Sequence, residues 1–321
     1  MFANVFTKTT LDRWKPPLHA AVSLSVLLVF GMAVYRGIDI SFWDDFPEAF
    51  RNMFGIPEGA DVGGLAYGAI YSGYGMLTMA AVALAGGAVS IAGEERNGTI
   101  GLLLDNPVSR TSMALSKAAA LVAVTAAAFI ILWLVGIATP LVLDVEIGTM
   151  DVNSLVLMMF VNALFYGFFA FALSGWTGKS SVAAGVTAGV MVISFIAVGL
   201  FPLIDEVAGL AEFFPWYYFS SSDPLLNGIS WGDFGILAIG TAAFLVIGVV
   251  GVNRRDLRSQ AIGTKMIDRL RANPMTHKAA EMLAGTARVS RIWVKTASEH
   301  QALLYVIAPV LFFMSVMIGP M

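Results

Sequence analysis

The sequence predicts an all-α protein that crosses a membrane several times, and three observations support that class. Of 321 residues, 58% are hydrophobic and 13% charged, with a mean hydropathy of +0.78, more apolar side chain than a soluble core absorbs. The apolar residues fall in blocks of about 20, the length of helix that crosses the hydrocarbon of a bilayer. No succession of about ten-residue alternating segments, the mark of a transmembrane barrel, is visible.

Residues 1–15 set Phe2, Val5, Phe6 and Trp14 among Lys8, Arg13 and Lys15, a pattern for a short amphipathic helix on the inner leaflet. Pro16 and Pro17 break it, and a first span follows at about 18–35. A signal peptide also opens with basic residues and an apolar stretch, but no small-x-small cleavage pattern follows Met32 to Gly37, so the span is kept in the mature chain. Residues 36–62 hold Asp39, Asp44, Asp45, Glu48, Glu58 and Asp61 against Arg36 and Arg51. Within them Phe46, Ala49, Phe50, Met53 and Phe54 recur at helical spacing, so a short helix on the outer face is expected, with a plain solvated loop as the alternative.

The second span, about 64–92, carries Gly64 and Gly68 as GxxxG and the Gly86-Gly87 pair, residues that let helices approach closely in lipid. Tyr67, Tyr71 and Tyr74 near its start read as an anchoring belt at the outer interface. A third span at 118–143, an acidic turn with Asp144, Glu146 and Asp151, a fourth at 154–176 and a fifth at 182–204 follow. An outer segment, 205–232, contains the aromatic run 213–219 and leads into a sixth span at 233–252. Trp216, Tyr217 and Tyr218 in that run read as interfacial belt or as an outer gate.

Residues 253–302 are basic, and 303–318 read as a seventh span. The domain division expected is a six-span unit over 1–257, a basic amphipathic cytoplasmic linker over 258–302 and a carboxy-terminal span over 303–321. Val5, Phe6, Lys8, Thr9 and Asp12 match Ile292, Trp293, Lys295, Thr296 and Glu299 at identical spacing. A second copy of the interfacial helix and first span, opening another membrane unit, accounts for this; unrelated similarity between two interfacial helices is the alternative.

With the amino terminus inside, every one of the 19 basic residues except Arg36 and Arg51 lies on inner segments. That asymmetry fixes the orientation by the positive-inside rule, so the connection from Gly93 to Lys117 faces the cytoplasm. In it Glu94 and Glu95 leave the second span, Gly98 permits a sharp turn, and Leu102, Leu103 and Leu104 form an apolar knob. Asn106 is placed to cap a helix that begins at Pro107 and carries Arg110 and Lys117. A short helix beside an apolar ridge, ringed by both charges, is a docking surface.

Other chemistry is excluded on simple grounds. There is no cysteine, hence no disulfide, thiolate metal site or cysteine nucleophile. His19, His277 and His300 are scattered singly and make no ligand set. The six expected spans hold no Asp, Glu, Lys or Arg between their ends, where each would cost about 2.5 to 3.5 kcal/mol and be kept only for use; this weighs against a proton relay and a membrane hydrolase, while sodium sites built from backbone carbonyls stay open as an alternative. Gly178, Lys179 and Ser180 imitate the end of a phosphate-binding loop, but Leu173 stands where its first glycine belongs, and the segment is a turn between spans.

At the loop, the sequence EERNGT, then LLL, then PVSR and a lysine, resembles the permease subunits of type-2 ABC exporters, over about residues 1–257. The resemblance implies that Glu94, Glu95, Gly98, Thr99, Pro107, Arg110 and Lys117 couple the chain to cytoplasmic ABC ATPase subunits. It further implies a six-helix bundle, a second permease as partner, and ATP and Mg bound by the ATPase with no cofactor on this chain. The expected role is a subunit for outward movement of an amphiphilic drug, antibiotic or lipid, in the inner (plasma) membrane. Met76, Met79, Asn162, Phe165 and Phe169 are candidates for a greasy central path. The rival readings are a structural or sensory membrane subunit and a lipid-modifying enzyme, both without ATPase coupling. The basic tail suits anionic lipid headgroups, and no nucleic-acid reader is present.

Overall fold

Helix is the form in which an apolar chain satisfies every backbone N–H and C=O without water, and the computed structural model of the chain, described over residues 5–37, 47, 51, 56, 60–97 and 109–255, is built of helices. Six of them are long and apolar enough to cross a membrane: Lys15–Tyr35, Val62–Ser90, Arg110–Leu143, Val152–Thr177, Ser180–Leu203 and Trp231–Arg254, called the first to sixth spans below. An amino-terminal helix, Val5–Arg13, precedes them. Pro16 and Pro17 fall in the first turn of the first span, where a missing N–H is no loss. The expected outer helix around Phe50, the basic linker and the seventh span lie outside the described residues.

The fourth span is the hub. It packs against the second, third, fifth and sixth and is the most buried of the six. Glycine makes this possible at two crossings. A Cβ added at Gly87 would stand 1.9 Å from the Gly167 carbonyl oxygen, and one at Gly175 would stand 2.5 Å from that of Gly248; the backbones are in contact there, as dispersion-driven association in lipid favours. In the second span the close approach is thus made by Gly87, whereas Gly64 lies against Met150 and Gly86 against Leu121.

The second span is not uniformly α-helical. Tyr67–Gly75 is a nine-residue π-helix, wider than an α-helix and met mostly as single turns at functional sites. A Cβ at Gly75 would stand 2.6 Å from the Ile70 carbonyl oxygen. The tyrosines of this segment correct the belt expected from sequence. Tyr67 and Tyr71 are fully buried and donate to the third span, Tyr67 to the Gly136 carbonyl at 2.6 Å and Tyr71 to that of Leu132 at 2.8 Å; only Tyr74 is well exposed. The reason lies four residues along: Pro140 sits inside the third helix and has no N–H to give Gly136, so the Tyr67 hydroxyl supplies the missing donor.

The spans alternate in direction, so the bundle has two chemically distinct ends. One gathers Lys8, Arg13, Arg96, Arg110, Lys117, Lys179, Arg254 and Arg255; the other holds Asp144, Glu146, Asp151, Asp205, Glu206, Glu212 and Asp223. At the acidic end the segment between the fifth and sixth spans folds back as 3-10 turns and two short helices, Tyr217–Ser220 and Pro224–Asn227, against the fourth, fifth and sixth spans. Asp151 caps the fourth span there, accepting from the Asn153 and Ser154 N–H groups. Burial alone would raise its pKa, but hydrogen bonds from Ser154 and Asn153 outweigh this and hold the carboxyl below the usual range.

Candidate functional site: an ionic junction at the basic end

A short helix, Ala92–Asn97, continues the second span and carries two adjacent acids in its first turn, the favourable end of the helix dipole. Adjacent helical residues point about 100° apart, so Glu94 and Glu95 reach different neighbours. Glu94 turns to the third span, where its Oε1 accepts from Lys117 Nζ at 2.8 Å. Glu95 turns to the end of the sixth, where Arg255 donates both terminal nitrogens to its carboxylate, Nη1 to Oε2 at 2.9 Å and Nη2 to Oε1. The Lys117 side chain is 1% exposed and that of Glu95 2%, so both pairs are withdrawn from water, where removing one partner strands a buried charge.

Neighbouring groups tie further elements to the same point. Arg255 also donates Nε to the Gly175 carbonyl at 3.1 Å, and its own carbonyl accepts from Arg110 Nη1 at 2.9 Å. Asn253 donates to Thr111 at 2.9 Å. The Ala92 N–H donates to Ser174 Oγ at 3.0 Å. From the amino-terminal helix, Arg13 donates to the Val89 carbonyl at 3.1 Å. Burial draws the Arg13 guanidinium below its ordinary pKa, and the nearby Glu94 charge opposes that. The amino-terminal helix and the second, third, fourth and sixth spans therefore meet in one charged knot.

Gly178 explains the sequence that imitates a phosphate loop. It ends the fourth span in the left-handed region at φ 63°, which favours glycine. A Cβ there would lie 1.8 Å from Arg255 Nη1 and 2.8 Å from Glu95 Oε2. The glycine is where the chain turns past the Glu95–Arg255 pair.

Of the loop residues singled out in the sequence, Glu94, Glu95, Arg110 and Lys117 are brought together. Gly98, Thr99 and Pro107 lie outside the described residues. The separate loop helix through residue 117 is corrected: Arg110–Lys117 is the start of the 34-residue third helix, which Ser109 caps by accepting from the Ser112 N–H. Lys117 accordingly sits two turns inside a spanning helix, correcting the expectation of spans without charge between their ends, and it is retained as half of a pair. Arg255, Arg13, Ser174 and Gly178 were not singled out as site residues. Their common signal was modest: polar or small residues at span ends on the basic side.

The path candidates are dispersed over the bundle. Met76, Met79 and Asn162 are fully buried within it. Phe165 and Phe169 are half-buried and pack on Phe244 of the sixth span, with ring centroids 5.3 and 4.8 Å away. Trp216 is 1% exposed, which corrects its reading as an interfacial belt residue: it is wedged beside Tyr166, Phe195 and Phe219. Tyr217 and Tyr218 are half-buried, edge to face at 5.5 Å.

Among the described residues no group of three or more His, Cys, Asp or Glu is placed to hold a metal. A family model described as "ABC-2 family transporter protein" matches residues 3–257, a range that takes in the amino-terminal helix, all six spans and the whole ionic junction. No curated protein matches the sequence. The chain therefore belongs to the ABC-2 transporter family and is a multi-pass membrane permease subunit, of a kind that generally lacks its own nucleotide site and works with an ABC ATPase.

Proposed function

We propose that this chain is the transmembrane subunit of an ATP-driven exporter that moves an amphiphilic small molecule, a drug, antibiotic or lipid, outward across the inner (plasma) membrane. Its basic end faces the cytoplasm, as the positive-inside rule requires of so one-sided a charge distribution. Cytoplasmic ATPase subunits, holding ATP and Mg, dock against the connection from Gly93 to Lys117, and a second permease, identical or not, completes the translocation unit.

The observation that carries this reading is the ionic junction. Push on the loop between residues 97 and 109 displaces the ends of the second and third spans, and Glu94–Lys117 makes the two move as one. Glu95–Arg255 passes the same displacement to the sixth span and, through the Gly175 carbonyl, to the hub. A bundle whose spans are joined rigidly at one end and packed on glycine in the middle rocks as a body, the form of change that nucleotide binding biases when it favours one of two states.

The experiment is a charge swap. Glu94→Lys alone sets two cations together and is expected to destabilise the chain; Glu94→Lys with Lys117→Glu restores the pair and the fold. With the partner ATPase present, Glu94→Lys and Arg110→Glu each lose substrate-stimulated ATP hydrolysis, and the swapped variant, in which the two spans are joined again, recovers it. Stimulation equal to wild type in Arg110→Glu, or no recovery in a swapped variant that folds and inserts, would overturn the coupling role of this loop.

A further inference from the structure

Several buried polar side chains of the bundle are left unmatched, among them Ser25, Thr125 and Thr187, and two others stand one turn apart on the fourth span. Asn162, in the middle of the fourth span, is 0% exposed, and neither its amide nitrogen nor its oxygen has a hydrogen-bond partner among the described residues. One turn further on the same face, the hydroxyl of Tyr166, also fully buried, is likewise without a partner. Ser194 of the fifth span is its nearest polar neighbour, and the Ser194 oxygen accepts from the Trp216 backbone N–H at 2.9 Å. An amide offers two donors and two acceptor positions, and leaving them unmatched in an apolar interior is costly. Residues of this kind inside a membrane bundle are retained for use.

We infer that Asn162 and Tyr166 form a buried recognition site for a neutral group carrying both a hydrogen-bond donor and an acceptor, such as a primary amide or an alcohol on an apolar tail, with Trp216 as its cap on the acidic side. Neutrality follows from the surroundings. The second, fourth and fifth spans hold no Asp, Glu, Lys or Arg between their ends, so an ionised ligand would lose its water without gaining a counter-charge. The cap follows from the packing. Trp216 sits with its ring centroid 6.3 Å from that of Tyr166 and belongs to the folded-back outer segment, so withdrawal of that segment uncovers the polar pair from outside. Placed on the export reading, this assigns the polar determinant of the cargo, and its test does not depend on ATP.

A medium-chain primary amide carrying an alkyl diazirine is photolysed on the full chain in nanodiscs, and crosslinks are mapped by peptide mass spectrometry. Saturable crosslinks are expected on residues 158–166 and 216–219. They fall about tenfold in Asn162→Leu, the loss of roughly one well-made hydrogen bond, and several-fold in Tyr166→Phe. A diazirine alkane of equal length gives no labelling that depends on either residue. Asn162→Leu is close in shape and removes an unmatched amide, so its melting temperature is expected to equal or exceed that of wild type. Unchanged amide crosslinking in Asn162→Leu, labelling confined to exposed positions such as Phe30 and Ile239, or a lower melting temperature for Asn162→Leu would each overturn the site. If loop variants leave ATP hydrolysis untouched while amide crosslinking still depends on Asn162, the export reading fails and the site stands.

Discussion

Neutralising the two sides of the Glu95–Arg255 pair should have unequal effects, because the two side chains are unequally buried. Arg255→Met leaves the Glu95 carboxylate, 2% exposed, with no counter-charge, and also removes the donor to the Gly175 carbonyl. A stranded buried charge of this kind costs about 3 to 5 kcal/mol. Glu95→Gln leaves an arginine that is 22% exposed and can reach water, while the glutamine still offers an acceptor; the cost is about 1 to 2 kcal/mol. The double variant buries no unpaired charge, so it should be less damaged than Arg255→Met alone, with a coupling energy of about 2 to 3 kcal/mol. Unfolding of the purified full chain by SDS titration in mixed micelles reads all three. Should Arg255→Met unfold like wild type, or the double variant be worse than either single, the pair is a surface contact and transmits nothing between the second and sixth spans.

Other outcomes follow from the same geometry. Gly178→Ala and Gly178→Asn should both disturb the junction, since asparagine relieves the left-handed backbone but not the 1.8 Å approach to Arg255; a loss of at least about 1 kcal/mol is expected for each, and recovery by asparagine alone would mean that only backbone strain matters. Tyr67→Phe leaves the Gly136 carbonyl unpaired at a cost of about 1 to 3 kcal/mol, and Pro140→Ala, which returns the helix its own donor, should reduce that cost to below about 1 kcal/mol; an undiminished cost in the double variant would assign the tyrosine another role. Asp151→Asn tests the acid end. The wild-type carboxyl has a lowered folded-state pKa, so its stabilisation is complete above the ordinary aspartate value of about 4 and is lost as pH falls through the lower folded value. Thermal scans should find the variant less stable near neutrality and converging with wild type in acid; a gap independent of pH would exclude the carboxylate charge as the cause.

Most of this architecture was legible because hydropathy alone specifies a spanning helix, and the six spans begin and end within a few residues of where the apolar runs do. The exception is informative. The third helix starts at Arg110, eight residues before the apolar run, because Ser109 caps it and Glu94 neutralises Lys117; a charge paired across helices cannot be read from one helix. For the same reason Arg255 was seen only as one of many basic residues, being 160 positions from Glu95. Tyr67 and Tyr71 were misread because an interfacial tyrosine and one donating to a carbonyl of a neighbouring helix look alike in sequence; for Tyr67 the distinction is held by Pro140, 73 residues away. Glu94 and Glu95 were singled out because polarity concentrated between two apolar runs is itself a signal. The burial of Asn162 and Trp216 had no such contrast to reveal it.

The central claim is that the chain has no energy source of its own and is driven through its basic end. The most direct measurement places the purified full chain in liposomes, with and without its ATPase, and follows a neutral amphiphilic fluorophore. Movement only when ATPase, ATP and Mg are all present is the result expected. Movement by the chain alone, driven by an ion gradient, would contradict it.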